Sequence, residues 1–147
     1  MNLIRRFEYW GDKHHPQWLD IFRVLLGVFL FFKGVQFLNN MGVMINLMSH
    51  KMSFGSFILV LIGHYIVSAH ILGGLLIVLG VLTRFACLIQ IPILIGAIVF
   101  INSGQELLHP FSELLLAIVT LILLFYFLIV GNGPWSFSRV VESANKK

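Results

Sequence analysis

The sequence predicts an all-α protein, a bundle of four transmembrane helices with both termini in the cytoplasm. Composition is the first sign: of 147 residues, 59% are hydrophobic and only 11% charged, and the mean hydropathy is +0.94, far from the balance of a soluble domain. The second is length. Apolar residues gather in four stretches, about 18–38, 57–82, 85–101 and 111–130, each close to the ~20 residues an α-helix needs to cross a bilayer. The third is periodicity. The stretches are apolar on every face, whereas strands of a membrane barrel alternate, so helices must satisfy the backbone groups that lipid cannot.

The N-terminal piece comes first. Leu3, Ile4, Phe7 and Trp10 recur at helical spacing among Arg5, Arg6, Glu8 and Lys13, which predicts a short interfacial helix on the inner leaflet. The stretch that follows is too long for a signal h-region, contains Arg23 and Lys33, and has no small-residue cleavage site after it, so it is expected to stay as an anchor. Orientation follows from charge. Arg5, Arg6 and Lys13 precede helix one, Arg84 lies between helices two and three, and Arg139, Lys146 and Lys147 follow helix four, while the opposite loops hold Lys51 alone; basic residues mark the cytoplasmic side. The net charge of +4 is then a topology signal and an attraction to anionic lipid. No basic, aromatic-interleaved surface suggests nucleic acid. No soluble second domain fits, and residues 1–147 are expected to form one integral membrane domain.

Helix one carries Arg23, Gly27, Leu30 and Gly34 at steps of four, three and four, one stripe of the helix. Glycines seven apart make a groove for close packing. An intramembrane Arg belongs in the bundle or a wet cavity, usually with a partner, or else snorkels to the headgroups. Lys33, in the outer half, has the same two options.

The outer loop, 39–56, contains Met41, Met44, Met48 and Met52, all on one helical face. Thioethers with His50 suggest a copper(I) site. The favoured reading is an amphipathic lid over lipid or the mouth of the bundle, because Met is a flexible apolar residue.

Helix two carries His64 and His70. Their spacing turns the imidazoles about 120° apart, so they form no same-face metal pair. His70 reads either as a core residue bonded to a neighbouring helix or as a proton acceptor beside a buried substrate. Helix three offers Cys87, Gln90 and Pro92, with Pro92 expected to kink it locally. One cysteine rules out an internal dithiol cycle within this chain. Before helix four come Gln105, Glu106 and His109, with Glu113 in its first turn, where the helix dipole favours a carboxylate. Lys33, His64, His70, Glu106, His109 and Glu113 all fall in the outer half, the acid, base and donor set that proton-coupled chemistry around an apolar pocket needs.

Three ordered pieces carry a resemblance: Arg23 with Gly27, Phe31 and Gly34 in helix one; Gly74 with the turn Gly80-Val81-Leu82-Thr83-Arg84; and Gly131-Asn132-Gly133-Pro134-Trp135-Ser136 after helix four. With four helices they resemble the DoxX family, small membrane proteins that include the small membrane subunit of thiosulfate:quinone oxidoreductase. Similar proteins often have a basic residue a turn beyond the helix-one glycine, where this chain has Phe37, with Lys33 just before Gly34 instead. The resemblance implies a bacterial inner (plasma) membrane protein tied to redox metabolism, with electrons passing to the quinone pool.

The leading expectation is a membrane subunit of a quinone-linked oxidoreductase, with quinone as its ligand and a membrane or soluble redox protein as partner. His70 would accept or relay a proton, Glu113 or His109 would connect the site to water, and Arg23, Lys33 and His64 would bind ligand. A scaffold whose glycine faces dock partner subunits is the alternative, since no haem-attachment motif, dinucleotide fingerprint or cysteine pair is present. A transporter of protons, metal or solute would need a homo-oligomer. A bis-histidine haem would need a ligand from another helix.

Overall fold

The computed structural model describes residues 17–101, 113–131 and 137–145. The expected interfacial helix falls in residues 1–16, outside them. Among the described residues, four helices are long and apolar enough to cross a membrane. They are α1 (Gln17–Asn39), α3 (Ser56–Leu79), α4 (Thr83–Gly96), continued by a π-helical turn at Ala97–Ile101, and α5 (Glu113–Val130). Two shorter helices accompany them, α2 (Met41–Lys51) between α1 and α3, and α6 (Phe137–Ala144) after α5.

The boundaries have local causes. Helix α3 ends at Leu79, three residues before the sequence-based limit, because Gly80 adopts a left-handed conformation at φ 67°. Its N–H bonds the Ile77 carbonyl at 3.2 Å, and the Val81 N–H reaches the Leu76 carbonyl at 3.0 Å. The carbonyls a helix leaves open at its end are thereby satisfied. Leu82 is also left-handed, at φ 49°, a conformation that costs a non-glycine residue about 1–2 kcal/mol. With Gly80 it reverses the chain quickly enough for α4 to start at Thr83. Pro92 lies inside α4 and has no N–H to give to the carbonyl one turn back.

The chain runs back and forth, α1 packing along α3, α3 against α4 and α4 against α5, while α1 touches α5 only sparsely. The α1–α3 contact is backbone against backbone. A Cβ on Gly27 would stand 2.7 Å from the Gly74 carbonyl oxygen, and one on Gly74 would stand 2.7 Å from both the Gly27 oxygen and the Phe31 nitrogen. Gly34 repeats the device about two turns along, where a Cβ would meet Ile71 at 2.7 Å. All four members of the Arg23, Gly27, Leu30, Gly34 stripe are buried. Between lipid-soluble surfaces such packing replaces the hydrophobic drive that water would supply.

Two of the motif segments meet at the opposite end of the bundle from α2. The Arg84 guanidinium, from the first turn of α4, lies over Gly131 after α5, where a Cβ would stand 2.6 Å from its Nε. Its Nη2 donates to the Ile129 carbonyl at 3.3 Å, so a cation closes the C-terminus of α5, the end the helix dipole makes negative. Gly131 itself has φ 77°, which fits glycine there twice over.

Replacing Gly27 or Gly74 by Ala should therefore force the two backbones apart and cost about 1–3 kcal/mol, the range for overpacking. Gly42 and Gly96 have open space where a Cβ would go. Thermal unfolding in detergent should show a lower midpoint for Gly27→Ala and Gly74→Ala, with Gly42→Ala unchanged or higher.

Candidate functional site

The sparse contact between α1 and α5 leaves a cavity of about 750 Å³, within the range of small-molecule sites. It is walled by α1, α3, α4 and α5 and roofed by α2. Apolar side chains dominate it, among them Phe29, Phe37, Ile66, Pro92 and Leu116. The methionine face of α2 forms the lid: Met44, Met48 and Met52 line the cavity, Met48 is fully buried, and the Met41 sulfur lies 3.2 Å from where a Cβ on Gly63 would be. The amphipathic outer loop is thus a helix seated on α3. His50 is exposed on that helix.

Lys33 and Glu113 form the gate post of this space. The Lys33 ammonium donates to both carboxylate oxygens of Glu113 at 2.9 Å, linking the two helices that otherwise barely meet. Lys33 is 16% exposed and Glu113 56%. The lysine is the enclosed partner, held by a carboxylate at the first turn of α5, where the dipole already favours negative charge. Gln36 and Phe37 of α1, and Asn40 just after it, continue the Lys33 face into the same lining.

His70 lines the cavity and is 4% exposed. Its Nδ1 lies 2.8 Å from the Ile66 carbonyl. A carbonyl only accepts, so Nδ1 carries a proton, and Nε2 is the nitrogen that bears the lone pair when the ring is neutral. That nitrogen has no hydrogen-bond partner among the described residues. The Phe37 ring stands edge-on to the imidazole, centroids 5.3 Å apart, at the position where the resemblance led one to expect a basic side chain. Thr120, also 4% exposed, donates its hydroxyl to the Leu116 carbonyl at 2.7 Å.

The other sequence-predicted residues separate from this group. His64 is exposed on α3, outside the lining, with Nδ1 on the Val60 carbonyl at 2.8 Å. Arg23 is buried toward the N-terminal end of α1, where it pairs at 3.2 Å with Asp20; each is 1% exposed. It therefore neither snorkels nor reaches the cavity. Glu106 and His109 lie outside the described residues. Cys87 is a buried free thiol. Among the described residues, no group of three or more His, Cys, Asp and Glu is placed to hold a metal ion. Gln90, fully buried between α3 and α4, donates to the Ala69 carbonyl at 2.7 Å and would crowd any Cβ on Gly73.

Asp20, Tyr65 and Thr120 were not singled out in the sequence. For Asp20 a signal existed, since opposite charges three residues apart in an apolar span pair on one helix face. For Tyr65 and Thr120 none did, because one hydroxyl in a hydrophobic helix marks no particular face.

Fold and site together define a multi-pass membrane protein with a ligand-sized apolar cavity inside its helical bundle. The family model DoxX matches residues 18–103, more than half of the chain, and the protein belongs to that family. No curated protein and no solved structure matches it.

Because Lys33 is enclosed and Glu113 is not, removing the carboxylate should cost more than removing the ammonium. In a double-mutant cycle of Lys33→Met and Glu113→Gln, unfolding in detergent should give a coupling of about 1 kcal/mol or less, as for partly exposed pairs. Glu113→Gln should be the more destabilising single change.

Proposed function

We infer that this DoxX family protein is a quinone-binding membrane subunit of a redox complex in the plasma membrane. Both termini face the cytoplasm in this reading, since by sequence Arg5, Arg6 and Lys13 precede the first span, Arg84 lies between the second and third, and Arg139, Lys146 and Lys147 follow the fourth, with Lys51 alone in the opposite loops. The observation that carries it is the cavity of about 750 Å³, apolar enough for a lipid-soluble ring and tail, with His70, Lys33 and Glu113 as its convergent polar groups.

Quinone reduction or quinol oxidation moves two electrons and two protons. The chain has one cysteine and no cofactor-binding motif, so a partner protein exchanges the electrons and this subunit holds the ligand and handles protons. The Nε2 lone pair of His70 receives a proton from the bound head group. Lys33 stabilises negative charge on it, and Glu113, exposed at the start of α5, connects the pair to water, with His109 available for the same task. Arg23 is not among the residues lining the cavity and pairs with Asp20 at 3.2 Å.

A scaffold function gains less support from the glycines than the sequence alone suggested. Gly27, Gly34 and Gly74 are engaged in the chain's own α1–α3 contact and are not free to dock another subunit.

Mass spectrometry of the organic extract from gently solubilised, purified protein should find quinone in near-stoichiometric amount. The His70→Ala variant should lose most of it while keeping its thermal midpoint within a few degrees. Bulk lipid alone in both extracts would refute the reading, as would unchanged quinone-linked activity in His70→Ala and Glu113→Ala cells.

A further inference from the structure

The cavity's polar groups are not equivalent once their hydrogens are assigned. Of the described residues lining it, only His70 and Thr120 are both polar and buried. The Thr120 hydroxyl hydrogen is directed to the Leu116 carbonyl at 2.7 Å, and what the oxygen offers the cavity is its remaining lone pair. The imidazole hydrogen of His70 is directed to the Ile66 carbonyl at 2.8 Å, and what the ring offers is the lone pair of Nε2. Both groups are therefore acceptors. The Lys33 ammonium directs two hydrogen bonds to Glu113 at 2.9 Å, and the Asn40 amide donates to the Gln36 carbonyl at 2.9 Å. The donors that remain free are the third N–H of Lys33, the second of Asn40, and those of Gln36 and Tyr65, and all belong to residues more exposed than His70 and Thr120, Lys33 at 16% and Tyr65 at 51%. Among the described lining residues the free donors thus lie toward the rim and the acceptors deeper.

Resting on the quinone reading above, we propose that the interior of the cavity selects the hydroxyl-bearing, reduced head group, a hydroquinone, over the corresponding quinone. A hydroquinone presents O–H donors to His70 Nε2 and Thr120 Oγ1. A quinone presents only carbonyl oxygens, which are acceptors and leave both buried lone pairs unmatched in apolar surroundings, where an unmade hydrogen bond is costly. The two forms share ring and tail, so shape and hydrophobic burial do not separate them. Hydrogen-bond polarity does, by the same asymmetry through which sites built to bond a hydroxyl reject analogues that lack it.

The test compares three probes with the purified protein in phosphatidylcholine nanodiscs under anaerobic conditions. They are a short-tailed benzoquinone, its hydroquinone, and the hydroquinone's dimethyl ether, which keeps the oxygens and removes both donors. Calorimetric titration should give a Kd for the hydroquinone at least tenfold lower than for either other probe, a difference of about 1.4 kcal/mol. His70→Leu should bring the three within about threefold of one another, and Thr120→Val, a smaller change, should narrow the gap in part. Equal binding of all three probes by the parent would overturn the inference while leaving a ligand site standing. Tighter binding of the quinone, or a preference that survives in both variants, would also overturn it. Binding of none of the three would remove the quinone reading and this inference with it.

Discussion

The bundle depends on the backbone contact between α1 and α3. Where Gly27 meets Gly74, and again where Gly34 meets Ile71, any side chain larger than hydrogen would stand under 3.0 Å from atoms of the facing helix. In lipid there is no gain from hiding apolar surface from water, so close packing carries association. The contact also fixes register. A Cβ on Gly34 would stand 3.0 Å from the His70 Cβ, which brings the neighbouring Lys33 and Phe37 of α1 into the same lining as His70.

The same constraint explains the cavity. With α1 drawn onto α3, and α3, α4 and α5 packed in sequence, α1 and α5 have little contact of their own. Side chains partly fill the space between them, the methionine face of α2 covers it, and the Lys33–Glu113 ion pair crosses it. Met suits that position because its unbranched chain conforms to an irregular surface. Lys33–Glu113 is the link that joins α1 to α5 where helix packing does not, and it does so in the half of the bundle that carries the polar lining.

Buried charge is handled in two ways in one helix. Arg23 and Asp20, a turn apart and both 1% exposed, neutralise each other within α1. The pair lies toward the N-terminal end of α1, outside the cavity lining. Lys33, two to three turns later, has no acidic residue within a turn of it on α1 and takes its partner from α5. An intramembrane charge satisfied across a gap ties that gap to chemistry.

The sequence by itself determined the helices, because span length and uniform apolarity admit no other structure in a bilayer. It also determined the packing stripe of α1, the lid face of the methionines and the family, whose motifs rest on fixed backbone needs such as the left-handed Gly80 and the close approach at Gly27. It did not determine which polar residues share a cavity. Lys33, His64, His70 and Glu113 looked equivalent by depth, since depth is a one-dimensional quantity read along each helix. Rotation about each helix axis and the choice of neighbours then turned His64 outward and His70 inward, and set Glu113 against Lys33. Those choices come from interhelical packing, in which residues distant in sequence decide together which face of each helix is enclosed.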